Sequence, residues 1–136
     1  DKIHVVIFLV SITLIAGCDN YETPPKGHEI DNKNSPDNLN KAFIWAPELG
    51  GLGATMSQPY QVWLHNIKGG RLSLIFEADK LDGVELTWLS TRELEICYSR
   101  AQIYHFRNFF VIAEEHSPGI YRVEIVLKKV SDLGYC

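Results

Sequence analysis

The sequence predicts an all-β fold: a single small antiparallel meander, a sandwich or a partly open barrel. Apolar and polar residues alternate with a period of two over most of residues 41–130. Turn residues such as Gly, Pro and Asp separate these runs at spacings of about 8 to 12 residues. No segment carries a helical apolar stripe over ten residues, and a chain of 136 residues suffices for one such domain.

Eight segments carry the strand pattern. In order, they are residues 42–46, 60–67, 71–79, 84–90, 93–99, 101–109, 109–113 and 120–130. In the third segment, strict alternation predicts one shared apolar face. The residues expected on that face are Leu72, Leu74, Phe76 and Ala78.

Composition excludes nucleic acid as a partner. Hydrophobic residues make up 46% of the chain and charged ones 22%, the balance of an ordinary globular protein. Thirteen Lys and Arg stand against seventeen Asp and Glu, so the formal net charge is -4. The chain therefore lacks the basic footprint that phosphate backbones require, and no polybasic run for a membrane surface is present.

The first 40 residues predict a signal peptide followed by a tether. The apolar core, Val5 to Ile15, is about eleven residues long, which suits a signal peptide better than a membrane-spanning helix of about 20. Residues 18–40 are rich in Asn, Asp, Pro and Lys and predict a flexible tether, although residues 35–40 could pack on the domain. The expected division is 1–17, 18–40 and a β domain over 41–136.

The end of the apolar run, Ile15-Ala16-Gly17-Cys18, resembles a bacterial lipobox. The resemblance implies cleavage after Gly17 and acyl chains on Cys18 that hold the protein on a lipid bilayer. The alternatives are an ordinary secretory peptide or a buried helix that contains a cysteine. Asp19 resembles the sorting residue that keeps lipoproteins on the periplasmic face of the inner membrane, and the outer membrane is the alternative.

Several short motifs follow one another along the domain. They are Ser35-Pro36-Asp37, Gly53-Ala54-Thr55, VELTWL at 84–89, LEICY at 94–98 and then Ala101, Ile103, Phe106 and Asn108. Their order resembles a family of small, uncharacterised proteobacterial lipoproteins, over most of residues 35–110. Met56 departs from the Gly-Ala-Thr-Thr turn of that family. The resemblance implies fold and location, and it implies no activity.

Three cysteines, Cys18, Cys97 and Cys136, leave one pair once Cys18 is acylated. An oxidising compartment favours a disulfide between Cys97 and Cys136. The alternatives are a buried free Cys97 and a terminal thiol. We expect no metal site, because neither a Cys-x-x-Cys nor a His-x-x-x-His spacing is present.

The sequence predicts no catalytic residue and no cofactor. It contains no Gly-x-Ser-x-Gly elbow and no phosphate-binding Gly-Lys loop. Glu93 and Glu95 share a strand face roughly 7 Å apart, as an acid pair would, but such charges are also typical of a solvent-facing strand. The run Glu114-Glu115-His116 contains metal-binding residue types, but we expect it to be a solvated loop.

Four aromatic residues are candidates for an interaction surface, because their neighbours along the strands are expected to face the core. They are Trp45, Trp63, Tyr104 and Phe109. The alternative is that they fill the second face of a two-layer core. The sequence thus favours a membrane-anchored periplasmic module that binds an envelope protein without catalysis. The alternatives are an immunity-type lipoprotein that neutralises a toxin, or a small envelope hydrolase.

Overall fold

The structure, a computed structural model, describes residues 22–48, 58–113, 120–131, 134 and 136. Every regular element within these residues is a strand, so the all-β prediction is confirmed. The strands are β1 (Gly27–Asn34), β2 (Asn40–Pro47), β3 (Tyr60–Asn66), β4 (Leu72–Asp82), β5 (Glu85–Ser90), β6 (Glu93–Tyr98), β7 (Arg100–Phe106), β8 (Phe109–Ala113) and β9 (Ile120–Lys129).

The strands form two sheets that pack as an open sandwich. The first sheet has the antiparallel order β1-β2-β3-β4-β7, and the second has the order β5-β6-β9-β8. β6 and β9 run parallel, because the chain leaves the second sheet after β6, adds β7 to the first and returns through β8. β1 contacts β5 at one side of the sandwich, and β4 contacts β8 at the other.

The core lies between the two sheets. Side chains that alternate along each strand point inward and leave water almost completely. They are Ala42, Ile44, Val62, Leu64, Ile75, Phe76, Ala78, Leu86, Leu94, Ile96, Phe110, Ile112, Val123 and Ile125. Each large apolar side chain buried in this way stabilises the fold by about 1.5 to 3 kcal/mol, so this layer holds the sheets together.

A β-bulge at Ile75 changes which side chains of β4 face the core. Val62 pairs with Phe76 and Trp63 pairs with Leu74, so Ile75 is the extra residue in the ladder. Phe76 and Ala78 face the core as predicted, but Leu72 and Leu74 lie on the opposite face. The prediction of one shared face was wrong, because strict alternation cannot anticipate an inserted residue.

The expectation of a flexible tether through residue 40 was wrong for residues 27–34, which form β1. All but the first of these residues are exposed, so their composition resembles that of a disordered segment. β1 is nevertheless held by its backbone, which pairs with β2 from Gly27–Pro47 to Asn34–Lys41. An edge strand needs a partner strand more than it needs an apolar face, and the composition of a segment does not reveal whether it has such a partner.

The turn from β1 to β2 uses the Ser35-Pro36-Asp37 motif. The Ser35 hydroxyl donates to Asp37 Oδ1 (2.6 Å) and accepts the Asn40 amide (3.0 Å). Ser35 is 2% exposed, so this hydroxyl replaces water inside the protein. Asn38 follows with φ of 57°, a left-handed conformation that Asn tolerates better than most residues. The motif is therefore structural in this chain.

The C-terminus is tied to β6. Cys97 and Cys136 lie at disulfide distance, with their Cα atoms 5.7 Å apart and a sequence separation of 39. Cys97 lies on the face of β6 opposite Leu94 and Ile96, as alternation predicts, and it is 2% exposed. The pair closes the part of the chain that contains β7, β8 and β9.

Replacing Ser35 by Ala is expected to lower the free energy of unfolding by about 1 to 3 kcal/mol, because it leaves the buried Asn40 amide without its acceptor. Urea unfolding measures the difference. The control N38G keeps the left-handed conformation and is expected to be tolerated. An S35A protein as stable as the wild type would contradict this role of the turn.

Loss of the Cys97–Cys136 bond is expected to lower the free energy of unfolding by about 4 kcal/mol, from the chain entropy of a loop of this length. Urea unfolding with and without reductant measures this in the wild type, and C136S serves as the control that reductant should not change. A wild type whose midpoint ignores reductant would show that the bond contributes nothing.

Candidate interaction site

The predicted lipidation residues lie outside the described part of the chain. These are Cys18, the cleavage residue Gly17 and the sorting residue Asp19, and the first described residue is Glu22. The Gly-rich turn before Met56 and the Glu114-Glu115-His116 run also lie outside it. Any site that the structure places must therefore be built from Glu22 onward.

Two of the four predicted surface aromatics are not on the surface. Trp63 is 3% exposed, and its Nε1 donates to Gln61 Oε1 at 2.9 Å. Gln61 in turn donates to Glu77 at 2.5 Å, and Phe43 pairs with Trp63 across β2 and β3. Trp45 is half-buried. The outer face of the first sheet is thus a second apolar layer, which is the alternative that the sequence left open.

The segment 22–26, here called the strap, helps to cover this outer face. Glu22 contacts β4, whereas Pro25 accepts a hydrogen bond from Trp45 Nε1 on β2 at 3.0 Å. Lys26 then accepts the Glu48 amide at 2.8 Å before the chain enters β1. The strap therefore crosses the sheet from β4 to β1, over the strands that carry Trp63 and Trp45.

Glu22 fastens the start of the strap, and we call its contacts the Glu22 clamp. Its carboxylate accepts the Leu74 amide at 2.7 Å and the Ser73 hydroxyl at 3.2 Å. It also pairs with the Arg107 guanidinium at 2.7 Å, and Arg107 donates to Ser73 at 3.0 Å. The clamp thus joins the N-terminal segment to β4 and to the connection between β7 and β8.

The clamp lowers the pKa of Glu22. Partial burial acts in the opposite direction, because it disfavours the charged carboxylate. The Leu74 amide, the positive charge of Arg107 and the Ser73 hydroxyl outweigh burial and favour the ionised form. The carboxylate is therefore ionised at neutral pH, which is the form that makes the contacts of the clamp.

Beside the clamp, a group of large apolar side chains is exposed. We call it the aromatic strip, and it consists of Ile103 (37% exposed), Tyr104 (57%), Phe106 (36%) and Phe109 (47%). The first three lie on β7, an edge strand of the first sheet, and Phe109 opens β8, an edge strand of the second. The strip therefore spans one edge of the sandwich.

Tyr104 is oriented within the strip by a hydrogen bond. Its hydroxyl donates to Asp79 Oδ2 on β4 at 2.7 Å, and this bond, chiefly, raises the pKa of Tyr104. Tyr104 is also the extra residue of a bulge, because Glu77 pairs with His105 and Ala78 pairs with Ile103. The irregular ladder turns the Tyr104 ring outward, which explains its exposure.

The clamp and the strip are adjacent. Arg107, which binds Glu22, stands in the two-residue connection between Phe106 and Phe109. Its own amide donates to Ile75 at 2.8 Å, so the connection is fixed to β4. The first described residue, Glu22, therefore lies against the same edge that carries the exposed aromatic side chains.

The other polar groups do not form a catalytic arrangement within the described residues. Glu95, one of the two carboxylates weighed as an acid pair, faces Lys128 at 3.9 Å. A shallow open concavity of about 560 Å³ is lined by side chains of both charge signs, and there Arg122 pairs with Glu124 at 2.9 Å. Burial, and then the nearby Lys41, lower the pKa of His65. In this part of the chain no three His, Cys, Asp or Glu side chains are grouped to hold a metal.

Sequence reasoning found half of the strip and none of the clamp. Tyr104 and Phe109, two of the four candidates for an interaction surface, are exposed. Ile103 and Phe106 were missed, although the Phe-Arg-Asn-Phe run at 106–109 places apolar residues on both sides of a short polar connection. Glu22 left no signal, because a single carboxylate in a polar segment says nothing about its distant partners.

Comparisons with family models, with curated proteins and with solved structures found no match to this chain. In the part of the chain that the structure describes, no helix is long and apolar enough to cross a membrane.

Replacing Glu22 by Gln is expected to lower the free energy of unfolding by about 1 kcal/mol at pH 7, because the pair with Arg107 is lost. The pKa of Glu22 is lowered on folding, so its contribution is present above the ordinary value of 4.5 and is lost as pH falls through the lowered value. Wild type and E22Q should therefore converge in acid.

Urea unfolding at a series of pH values measures this convergence. The matched control is E48Q, because Glu48 pairs with Lys26 in solvent. The Lys26 side chain is 86% exposed and that of Glu48 is 55% exposed. E48Q is expected to change stability little at any pH. An E22Q protein as stable as the wild type at pH 7 would show that the clamp does not hold the strap.

Proposed function

We propose that this chain is a lipid-anchored protein of the bacterial envelope that acts by binding and not by catalysis. The anchor is supported by the Ile15-Ala16-Gly17-Cys18 sequence at the end of a short apolar core. Acyl chains on Cys18 would hold the domain at the periplasmic face of the inner membrane, to which Asp19 points. The resemblance to small proteobacterial lipoproteins supports the same location.

The single observation that carries the binding role is the aromatic strip. Four large apolar side chains are exposed along one edge of the sandwich. Exposed apolar groups of this kind are typical of surfaces that bind a partner. The catalytic alternative has no comparable support, since Glu95 pairs with Lys128 and, in the open concavity, Arg122 pairs with Glu124. We infer that the domain presents an apolar surface, either to the membrane that holds its anchor or to an envelope protein, and does not enclose a substrate.

Replacing Cys18 by Ala is expected to release the protein from membranes, because the acyl chains that hold it are lost. Fractionation of cells into membrane and soluble parts, with the protein followed by a C-terminal epitope tag, measures the distribution. The control is C136S, which removes a thiol that the anchor does not use. A C18A protein that stays with the membrane fraction would contradict the anchor.

The envelope partner is tested by crosslinking in intact cells with the anchor kept, followed by purification and mass spectrometry. We expect one dominant envelope protein that is recovered with the wild type and lost with C18A. A neighbouring-gene toxin as that partner would identify the immunity class. Recovery of no protein partner from well-lipidated protein would contradict a protein-binding role.

A further inference from the structure

We propose that the aromatic strip faces the lipid bilayer and that the Glu22 clamp holds it there. The inference rests on the proposed lipid anchor at Cys18 and deepens it, because it assigns a partner to one edge of the domain. The occupant is the membrane surface in which the acyl chains of Cys18 would be inserted. Three features carry the proposal: the length of chain before the clamp, the position of the clamp, and the charge of the strip.

The clamp shortens the free chain between anchor and domain. Cys18 precedes Glu22 by four residues, which span at most about 14 Å when fully extended. Without the clamp the first held residue would be Pro25, whose carbonyl accepts a hydrogen bond from Trp45. It lies seven residues from Cys18, up to about 25 Å away. The clamp therefore brings the domain close enough for its own side chains to reach the bilayer surface.

The clamp also selects which edge comes close. Glu22 binds Arg107, and Arg107 lies between Phe106 and Phe109. The opposite edge of the first sheet is β1, four strand spacings or about 19 Å from β7. A tether fastened at Arg107 thus holds the β7–β8 edge toward Cys18 and the β1 edge away from it.

The strip has the charge and the side chains of a membrane-surface contact. Residues 100–112 read RAQIYHFRNFFVI and contain no Asp or Glu, in a chain whose net charge is -4. Of the two arginines in this run, Arg107 is paired with Glu22, so Arg100 supplies the attraction for anionic lipid headgroups. Aromatic rings with a polar tip or a neighbouring Arg are favoured at the level of the headgroups.

The observations favour a lipid surface over a peptide that adds a strand to β7. Strand addition needs a regular edge, but the ladder between β4 and β7 shifts at Tyr104 and again between Asp79 and Asp82. Bulges of this kind disfavour further strand pairing. A membrane surface needs only exposed side chains, and it imposes no hydrogen-bonding register.

The test measures which edge meets the membrane. Lipidated protein is reconstituted in vesicles that contain anionic lipid and nitroxide-labelled lipid. An environment-sensitive fluorophore is attached to one introduced cysteine, F109C on the strip, or L89C or I30C as controls. Phe109, Leu89 and Ile30 are similarly exposed, at 47%, 51% and 51%. Ile30 and Leu89 lie on β1 and β5, which contact each other at the other edge.

We expect the nitroxide lipid to quench the fluorophore at position 109 roughly threefold more than at positions 30 and 89, as for a side chain at the headgroup level. E22Q is expected to remove this difference while the protein stays on the vesicles. I103C samples the same strip if F109C does not fold. Equal quenching at the two edges, or stronger quenching at position 30, would overturn the inference.

The experiment separates this inference from the anchor on which it rests. Vesicle flotation of the same samples reports anchoring, whereas the position dependence of quenching reports orientation. Protein that floats with the vesicles but shows no preference for position 109 overturns the orientation and leaves the anchor in place. Protein that carries an intact Cys18, has passed through the lipidation pathway and does not float overturns both. Crosslinking of the strip to another protein instead of lipid also overturns the inference.

Discussion

Burial between the two sheets is the constraint on which the rest of the structure depends. The inner strands of both sheets carry an apolar face, and neither sheet is stable with that face in water. Packing them together excludes water from residues such as Leu64, Phe76, Leu94 and Val123, all 0% exposed. The three crossings of the chain, from β4 to β5, from β6 to β7 and from β7 to β8, then follow from the need to supply strands to both layers.

The second apolar layer distinguishes this sandwich from one with a solvated outer face. Trp63 and Phe43 lie on the outside of the first sheet yet are 3% and 6% exposed, and the strap passes over that side. A buried indole needs a hydrogen-bond acceptor, and Gln61 supplies one for Trp63. The strap is therefore a structural part of the domain, although its composition is that of a linker.

The same strap links the fold to the proposed function. The strap begins at Glu22. The three partners of the Glu22 carboxylate come from β4 and from the connection between β7 and β8. An anchor placed just before Glu22 would hold that edge of the domain toward the membrane. A charged contact of this exposure is weak compared with the core, but orientation needs only a bias toward one edge, whereas the fold needs the whole apolar layer.

Local pattern was enough to predict the all-β class and most strand positions, and it named Tyr104 and Phe109 as candidates for the surface. It also predicted the partnership of Cys97 with Cys136, because period-two alternation, turn residues and cysteine count are written in short segments. The resemblance of Ile15-Ala16-Gly17-Cys18 to a lipobox is likewise a local signal, and the anchor that it implies stays a prediction. Only the tertiary structure decided the face of Leu72 and Leu74, the burial of Trp63, the pairing of β1 and the clamp at Glu22. Each of these depends on a bulge or on a partner distant in sequence, and alternation along one strand contains no information about either.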